Sequence, residues 1–526
     1  MCEKAKTTDV RYLVVTEISQ KQAYIFRSNK LKENIHNSMV IETVLSKEYF
    51  EEKISSEIYN TTENYVYSGG GHVILEFSTF EKAEKFVQSL TKKIHEEYDE
   101  LEVFAKIEGY DEKRAPGENL KNLTGCLEKK KALRSSAFHQ GTFGIEKIDN
   151  NTLKPEMCKE DKVRLVKIKD KVNYVPIGYK EVSQFEKLGG SKNISNFIAV
   201  VHIDGNAMGA RVTDFYKEHE NDTWDIFKKN IRQYSESIDL DFKKAYEEMT
   251  QVVKANLESG RLDSLNLDGK DFPVRKLILA GDDVCFVSEG RIGLSCAEAF
   301  LKALSTKVNS ADHQGYSACA GVAMVHQKFP FYRAYELSEL LCSNAKKYGA
   351  SLSEDGTGKE LSCIDWHVEF GENKDTFLEI RQDYIVNETT TLELRPYIVL
   401  APDPIIQKDP MRQYKNFKKL IGSILSNQIQ YSKGRLKELR NVLKQGEIRT
   451  EYYLKFHKIS DIALEAYQDI YQKMTWDKIG TGQGLERKVF IRTMDGKTHS
   501  LLFDAIELLD TYIELEDGKE DTFNEN

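Results

Sequence analysis

No two of the eight cysteines, Cys2, Cys126, Cys158, Cys285, Cys296, Cys319, Cys342 and Cys363, stand in a C-x-x-C pair. Zinc ribbons draw their ligands from such close pairs, so no zinc site is expected. The opening MCEKAKTTDV lacks the apolar stretch of a signal peptide. No run of about 18 apolar residues occurs, which argues against a membrane-spanning helix and any role that needs one. The thiols then read as reduced and the location as cytoplasmic. Basic charge is also short: 75 Lys and Arg stand against 84 Asp and Glu, a net charge of −9. A chain that grips nucleic acid over its whole surface is basic, so any RNA or DNA contact here must be local.

What the chain does have is length and apolar content. Its 526 residues, 40% hydrophobic, imply several packed domains rather than disorder. VRYLVVTEI at 10–18 reads as a strand. A helical stretch over 30–56 follows, then the hairpin YVYSGGGHVILEFS at 65–78, a helix over 80–97 and a strand over 101–108. That order, β-α-β-β-α-β, is the ferredoxin-like one. Residues 113–195 are polar, with a helix near 118–134 and a linker-like ending, KLGGSKN.

The same order then returns. NFIAVVHID at 196–204 is continuously apolar, as a strand buried on both faces requires. A helix near 224–257 carries Ile238, Phe242, Tyr246, Met249, Val253 and Leu257 at helical spacing. The hairpin RKLILAGDDVCFVSEG at 275–290, a strand over 316–325 and a helix over 336–349 ending at a glycine C-cap complete the unit. The chain is therefore α+β with a divergent internal duplication. Gly69, Gly70, Gly71 and His72 of the first hairpin overlay Ala280, Gly281, Asp282 and Asp283 of the second. The boundaries read 1–112, 113–195, 196–372 and 373–526. The last region is mainly helical on two apolar stripes, Tyr414, Phe417, Leu420, Ile421, Ile424, Leu425 and Leu436, Leu439, Val442, Leu443. The terminal ELEDGKEDTFNEN reads as an acidic tail.

Chemistry gathers in the second unit. Asp204 ends a buried strand and leads into GNAMG, so its carboxylate faces a crevice. Gly205 and Gly209 allow a ligand close to the backbone, and the helix that follows offers N–H groups to phosphate. Asp282 and Asp283 stand at a hairpin tip, and only one of two successive strand residues points to a given face. If the strands are adjacent, the three acids converge and repel, and a cation must neutralise them. Oxygen ligands alone select Mg2+ or Mn2+. Two such ions serve to activate a 3′-hydroxyl and to stabilise departing pyrophosphate. Aspartate is also common at hairpin tips for its turn geometry alone. The two motifs in this order within a repeated unit favour the metal–nucleotide reading.

IDGNAMG, LAGDDV and SACAGVAMVHQKFPFYRAYELSELLCSNAKKYG resemble the second palm of the large polymerase–cyclase subunit of type III CRISPR effectors. EISQKQAYIFRSNKLKENIHNSMVIE and YSGGGHVILEF resemble its first palm. The resemblance implies two ferredoxin-like palm domains and a C-terminal helical domain. It also implies synthesis of cyclic oligoadenylate messengers from ATP in antiviral defence, with Mg2+ as cofactor and RNA-guided effector proteins and RNA as partners. Asp204, Asp282 and Asp283 match the metal-binding and catalytic aspartates, and Gly281 matches a glycine of the hairpin motif. Ala280 replaces the other glycine, and Asn206 stands where many members carry an aspartate. Lys346 matches a lysine that neutralises triphosphate. With no His-Asp dipeptide anywhere, no HD-type nuclease is expected.

In the first palm GGGH replaces the acids. Ser19 and Gly69, Gly70 and Gly71 either cradle a second nucleotide or simply make a tight turn. Glu17 reads as a surface glutamate more readily than as a remnant of the missing acid, and His202 as a core residue. His72 and His326 are weaker candidates for nucleotide contact. Two other functions stay open: a catalytically inactive palm scaffold binding RNA-guided partners, and a stand-alone cyclic di- or mononucleotide cyclase.

Overall fold

Four antiparallel strands, β1 (Tyr12–Ser19), β2 (Tyr65–Gly69), β3 (His72–Phe77) and β4 (Glu102–Gly109), form the first sheet in the order β2-β3-β1-β4. Alternation along each strand sends Val14, Ile18, Val73, Leu75 and Phe77 to one face. Phe50, Phe86, Leu90 and Ile94 cover them. The last three lie on the helix Phe80–Glu97, whose start is fixed by Thr79, its hydroxyl accepting from the Lys82 N–H at 3.2 Å. The helical stretch read over 30–56 is in fact two helices, Leu31–Val44 and Lys47–Lys53. The break falls where Ser46 becomes an N-cap, accepting from the Tyr49 N–H at 3.2 Å. The computed structural model describes residues 11–98, 100–133, 173–188, 196–369, 377–426, 432–459, 467 and 489–517. Cys2, Cys158, most of the KLGGSKN ending and the tail past 517 lie outside them.

The second sheet has six strands. β5 (Phe197–Gly205), β6 (Val274–Ala280), β7 (Asp283–Glu289) and β8 (Ala318–His326) repeat the topology of the first, in the order β8-β5-β7-β6. β5 is central, and Ile198 to Ile203 are buried without interruption, as its apolar run requires. β9 (Ser362–Val368) adds parallel to β8. β10 (Ile385–Asn387) and β11 (Thr390–Thr391) come next in the chain, and β12 (Tyr397–Leu400) then pairs antiparallel with β9. The sheet thus runs past residue 372. β10 and β11 form a third sheet with β13 (Phe490–Arg492) and β14 (Thr498–Ser500), ordered β10-β11-β14-β13. The last region is therefore helices plus strands. Strands of two to four residues are too short to leave a period in the sequence. The helical stripes do bury: Tyr414, Phe417, Leu420, Ile421 and Ile424, with Leu436, Leu439 and Leu443, join the main core. The mixed α+β architecture of two palms with a helix-bearing third region is the one the sequence implies.

Two contacts fix one palm against the other. The helix Trp224–Glu258 lies across β2, the edge strand of the first sheet. Arg232 Nε donates to Val66 O at 2.9 Å and Ser235 Oγ to Ser68 O at 2.5 Å, closing an edge that would otherwise present open carbonyls. On the other side Ile25, Phe26 and Leu31 enter the apolar cluster of the second palm, where the Phe26 ring meets Tyr335 at a centroid distance of 4.1 Å. Tyr335 belongs to the helix Phe331–Leu352, which packs on β8 and β9. That helix runs through Gly349 to a cap at Ser353, so the expected glycine C-cap is not used. Its close seat on the sheet depends on Gly321 of β8. A Cβ there would meet the Ser338 carbonyl and the Cys342 N–H, both backbone atoms that cannot swing away. We expect Gly321→Ala to cost about 1–3 kcal/mol and to lower the apparent melting temperature. An unchanged melting curve would contradict this packing.

Candidate functional site

The antiparallel register of β5 and β7 sets Asp204 directly opposite Asp283. Cross-strand partners project to the same face with Cβ atoms about 4.5–5.5 Å apart. His202, two residues back, shares that face, as does Lys346 of the overlying helix. Lys346 Nζ donates to Asp204 Oδ2 at 2.6 Å and to Gly205 O at 2.7 Å. Asp282 occupies the turn between β6 and β7, next to Gly281 at φ +63°. Its carbonyl accepts from the Gly205 N–H at 3.3 Å. A Cβ on Gly205 would stand 3.0 Å from the Asp282 Cβ and 2.9 Å from Met208 Cγ, so only glycine lets the two loops approach. The three acids, distant in sequence, gather at one end of the sheet.

The electrostatics follow from this crowding. Burial first, and then the Asp204 charge, push the Asp282 carboxyl up to about 6 and that of Asp283 up to about 7. Asp283 keeps 35% of its side chain accessible, yet its Oδ1 is sealed and has no hydrogen-bond partner. His202 Nδ1 lies 3.6 Å from it, also without a partner. Burial holds His202 below the usual imidazole range, so it is neutral and contributes no compensating charge. His202 is thus a buried residue, as read from the sequence, but one that touches the site.

Among the described residues no three His, Cys, Asp or Glu side chains are gathered into a ready ligand set. Asp204 Oδ2 is taken by Lys346. The chemistry of the donors nonetheless suits a hard divalent cation: oxygen only, unevenly solvated, with one buried carboxylate oxygen unsatisfied.

The other sequence candidates divide. The Asn206 amide nitrogen donates to Ser317 Oγ at 2.9 Å and to Leu361 O at 2.6 Å, tying the end of β5 to the scaffold. Gly209 and Gly281 have open space where a Cβ would stand. Ala280 is exposed at the end of β6. In the first palm each glycine of the triplet has its own local cause. Gly69 lies under the crossing helix, where a Cβ would stand 2.6 Å from Ser235 Oγ. Gly70 and Gly71 take φ +58° and +78° in the turn. Ser19 ends β1 opposite Glu102. His72 Nε2 lies 3.3 Å from the Tyr67 hydroxyl, and His326 is at the far end of β8 from Cys319, the residue opposite Asp204.

Glu17 is not the surface residue expected. It stands opposite His72 in the register, as Asp204 stands opposite Asp283. Lys131 Nζ donates to Glu17 Oε1 at 2.9 Å, from the helix Pro116–Ala132 that follows β4, as Lys346 comes from the helix that follows β8. The acid–lysine pair is therefore duplicated with the fold. The spacing of 114 residues between Glu17 and Lys131 hides it in the sequence. Lys21, which lies between the palms close to Gly71, is equally hidden; a lysine in a QKQ run carries no signal of its own.

Two ferredoxin-like units, one bearing acids at the ends of adjacent central strands, define a tandem palm protein. Residues 197–352 match the family described as Cas10/Cmr2, second palm domain. The match covers that segment alone, and the chain as a whole is Cas10-like in fold. It resembles the solved structure of Csm1 in T.onnurineus at 13% identity and TM-score 0.56, over 96% of this chain and 70% of that one. A Csm1-Csm4 cassette in complex with AMPPNP matches at 13% and 0.55, over 97% and 70%. A cassette in complex with cA3 matches at 13% and 0.54, over 97% and 71%. The chain spans less of some others, 54% of the Csm1 chain with pppApA and 65% of that with cA4. No curated protein matches the sequence. No helix among the described residues is long and apolar enough to cross a membrane.

The raised carboxyls make a prediction about stability. The folded pKa of Asp283 lies above its ordinary value of 3.8, so between about pH 4 and 7 the folded chain holds a proton that the unfolded chain has lost. The cost of ionising it is absent below that window and full above it. Asp283→Asn should therefore stabilise the metal-free protein at pH 8, by about 1–2 kcal/mol once partial exposure is allowed for. The gain should shrink as pH falls to 5, read by thermal melts in chelator. A gain independent of pH would show that the carboxylate is not the strained group.

Proposed function

We propose that the chain is a nucleotidyltransferase of the cyclase kind, joining ATP into cyclic oligoadenylates at the second palm within a type III CRISPR-like antiviral system. The observation that carries this reading is the register pair Asp204–Asp283 with Asp282 beside it, under Lys346. Three carboxylates with two raised pKa values repel one another and are favourable around divalent cations.

Asp204, Asp282 and Asp283 would hold Mg2+ or Mn2+. When bound, the ion supplies charge neutralisation to the triphosphate and acidity to an attacking 3′-hydroxyl. The residues of the chain do the positioning. Lys346 exchanges its ion pair with Asp204 for a phosphate oxygen. Gly205 lets the Asp282 turn close onto the end of β5, and Gly281, with open space where a Cβ would stand, leaves the turn free for phosphate to approach the backbone. Buried, neutral His202 and the apolar strands beneath exclude water from one side of Asp283. In the reaction a bond forms between the 3′-oxygen of one nucleotide and the α-phosphorus of another. The bond from that phosphorus to pyrophosphate breaks, and the hydroxyl proton leaves to solvent. Nucleotides and an effector partner are named for the similar Csm1-Csm4 complexes, and by likeness they are proposed here, with a cytoplasmic setting and RNA as the activating signal.

One observation favours a second reading, a scaffold without catalysis. Lys346 already satisfies Asp204, and the Asn206 amide is spent on the scaffold, so the site is neutralised in part without any metal. Incubation of the chain with ATP and Mg2+ or Mn2+, with and without RNA and a partner subunit, followed by mass spectrometry, separates the readings. The cyclase makes cyclic oligoadenylate, and ring size distinguishes it from a stand-alone dinucleotide or mononucleotide cyclase. The double change Asp282→Ala, Asp283→Ala should lower product by at least about a hundredfold with an unaltered or raised melting temperature. Equal product from the double variant would sink the assignment.

A further inference from the structure

The two palms can be compared position by position, because the duplication preserves the register. Glu17 corresponds to Asp204 and His72 to Asp283. Gly71 then corresponds to Asp282, and Lys21, four residues after Glu17, to Met208, four after Asp204. In the second palm Met208 lies against Gly205 close to the Asp282 side chain. In the first palm the same neighbourhood is inverted in charge. The Lys21 ammonium sits where the Cβ of residue 71 would be, in the space that the missing acid has left.

Lys21 differs from the other two lysines of the interface. Lys346 pairs with Asp204, and Lys131 pairs with Glu17 and Glu128. Among the described residues Lys21 makes no hydrogen bond or ion pair, although it is half-buried. The charged groups around it are Glu17, Asp283 of the opposite palm, and Lys131. An ammonium with three unspent donors at a partly dry interface is costly unless an anion meets it. Beside it the backbone of Gly70 and Gly71 carries no side chain, so a phosphate group can come close.

We propose that Lys21 is the built-in cation of the first palm, replacing the divalent ion of the second, and that it binds the phosphates of a nucleoside triphosphate without metal. This deepens the function proposed above, since it assigns the phosphate-binding group of the acid-free palm. Each palm then neutralises phosphate by a different means: the second with acids that recruit a cation, the first with a lysine in the acid's place. Because the Asp283 charge acts on Lys21 across the interface, the two sites adjoin, and a nucleotide held on Lys21 lies beside the reacting centre of the other palm. Gly71 is glycine for two reasons, its φ of +78° and the ammonium that fills its side-chain space.

Titration calorimetry with AMPPNP, once in EDTA and once in Mg2+, tests this. The parent chain should bind AMPPNP in EDTA, and Mg2+ should add a second site. Lys21→Met should weaken the EDTA-resistant site by about tenfold or more, while Lys21→Arg retains most of it and the Mg2+-dependent site persists in both. Gly71→Ala, which displaces the ammonium but keeps the charge, should weaken the same site. It should have little further effect on that site when combined with Lys21→Met. Thermal melts of all variants separate misfolding from lost binding, and Gly71→Ala carries the test if the methionine variant does not fold. No binding by the parent in EDTA, or equal binding by parent and Lys21→Met, overturns the role of Lys21. A parent that binds in EDTA but gains no site with Mg2+ would instead count against the metal-dependent second palm, leaving Lys21 supported.

Discussion

Like charge held against like charge organises this molecule. The ladder between β5 and β7 places Asp204 and Asp283 side by side, and the six-residue buried run of β5 leaves the strand no freedom to slip. A shift of one residue would turn every apolar side chain of β5 to the opposite face, so the register that fits the core also enforces the acid pair. Apolar burial thereby imposes the repulsion, because the free energy gained by burying the strand far exceeds what the carboxylates can oppose. What remains adjustable is the counter-charge: a lysine, a proton or a bound cation.

The palms show how a duplicated fold reassigns that counter-charge. Both keep an acid at the end of the first strand and a lysine on the helix after the fourth. They diverge at the hairpin, where the second palm keeps two acids and the first has glycine and histidine. Loss of acid there is matched by the arrival of Lys21 in the same space. The helix Trp224–Glu258 and the Phe26–Tyr335 contact hold the two hairpins toward one interface, so the charges of one palm act on those of the other.

Third-region packing supports this from a distance. β9 and β12 widen the second sheet beyond the four strands of the palm. Trp366 of β9 lies parallel to Tyr397 of β12 at 5.4 Å and against Phe417 of a C-terminal helix. Behind them Arg395, wholly buried, is paired with Glu507 and lies near Asp365 and Asp504. A buried arginine of this kind is tolerated only when its charge is met, and breaking it by removing one partner is strongly destabilising. The edge of the second-palm sheet is thus locked to the last region of the chain.

Much of this is legible in the order of residues. Apolar runs and their periods mark both β-α-β-β-α-β units, the duplication, and the three acids as one candidate site, because strand alternation and helix spacing are local properties. Alternation along a strand also separates Asp282 from Asp283. The Glu17–Lys131 pair, the role of Lys21, the uses of Asn206 and Gly69 and the short strands of the third sheet are not legible there. Each of those depends on which elements meet, and a contact between residues distant in the chain leaves no trace in spacing. Composition and period determined the elements and the acids; only the packing of two sheets and the helix between them decided which charges share a site and which of them are left without a partner.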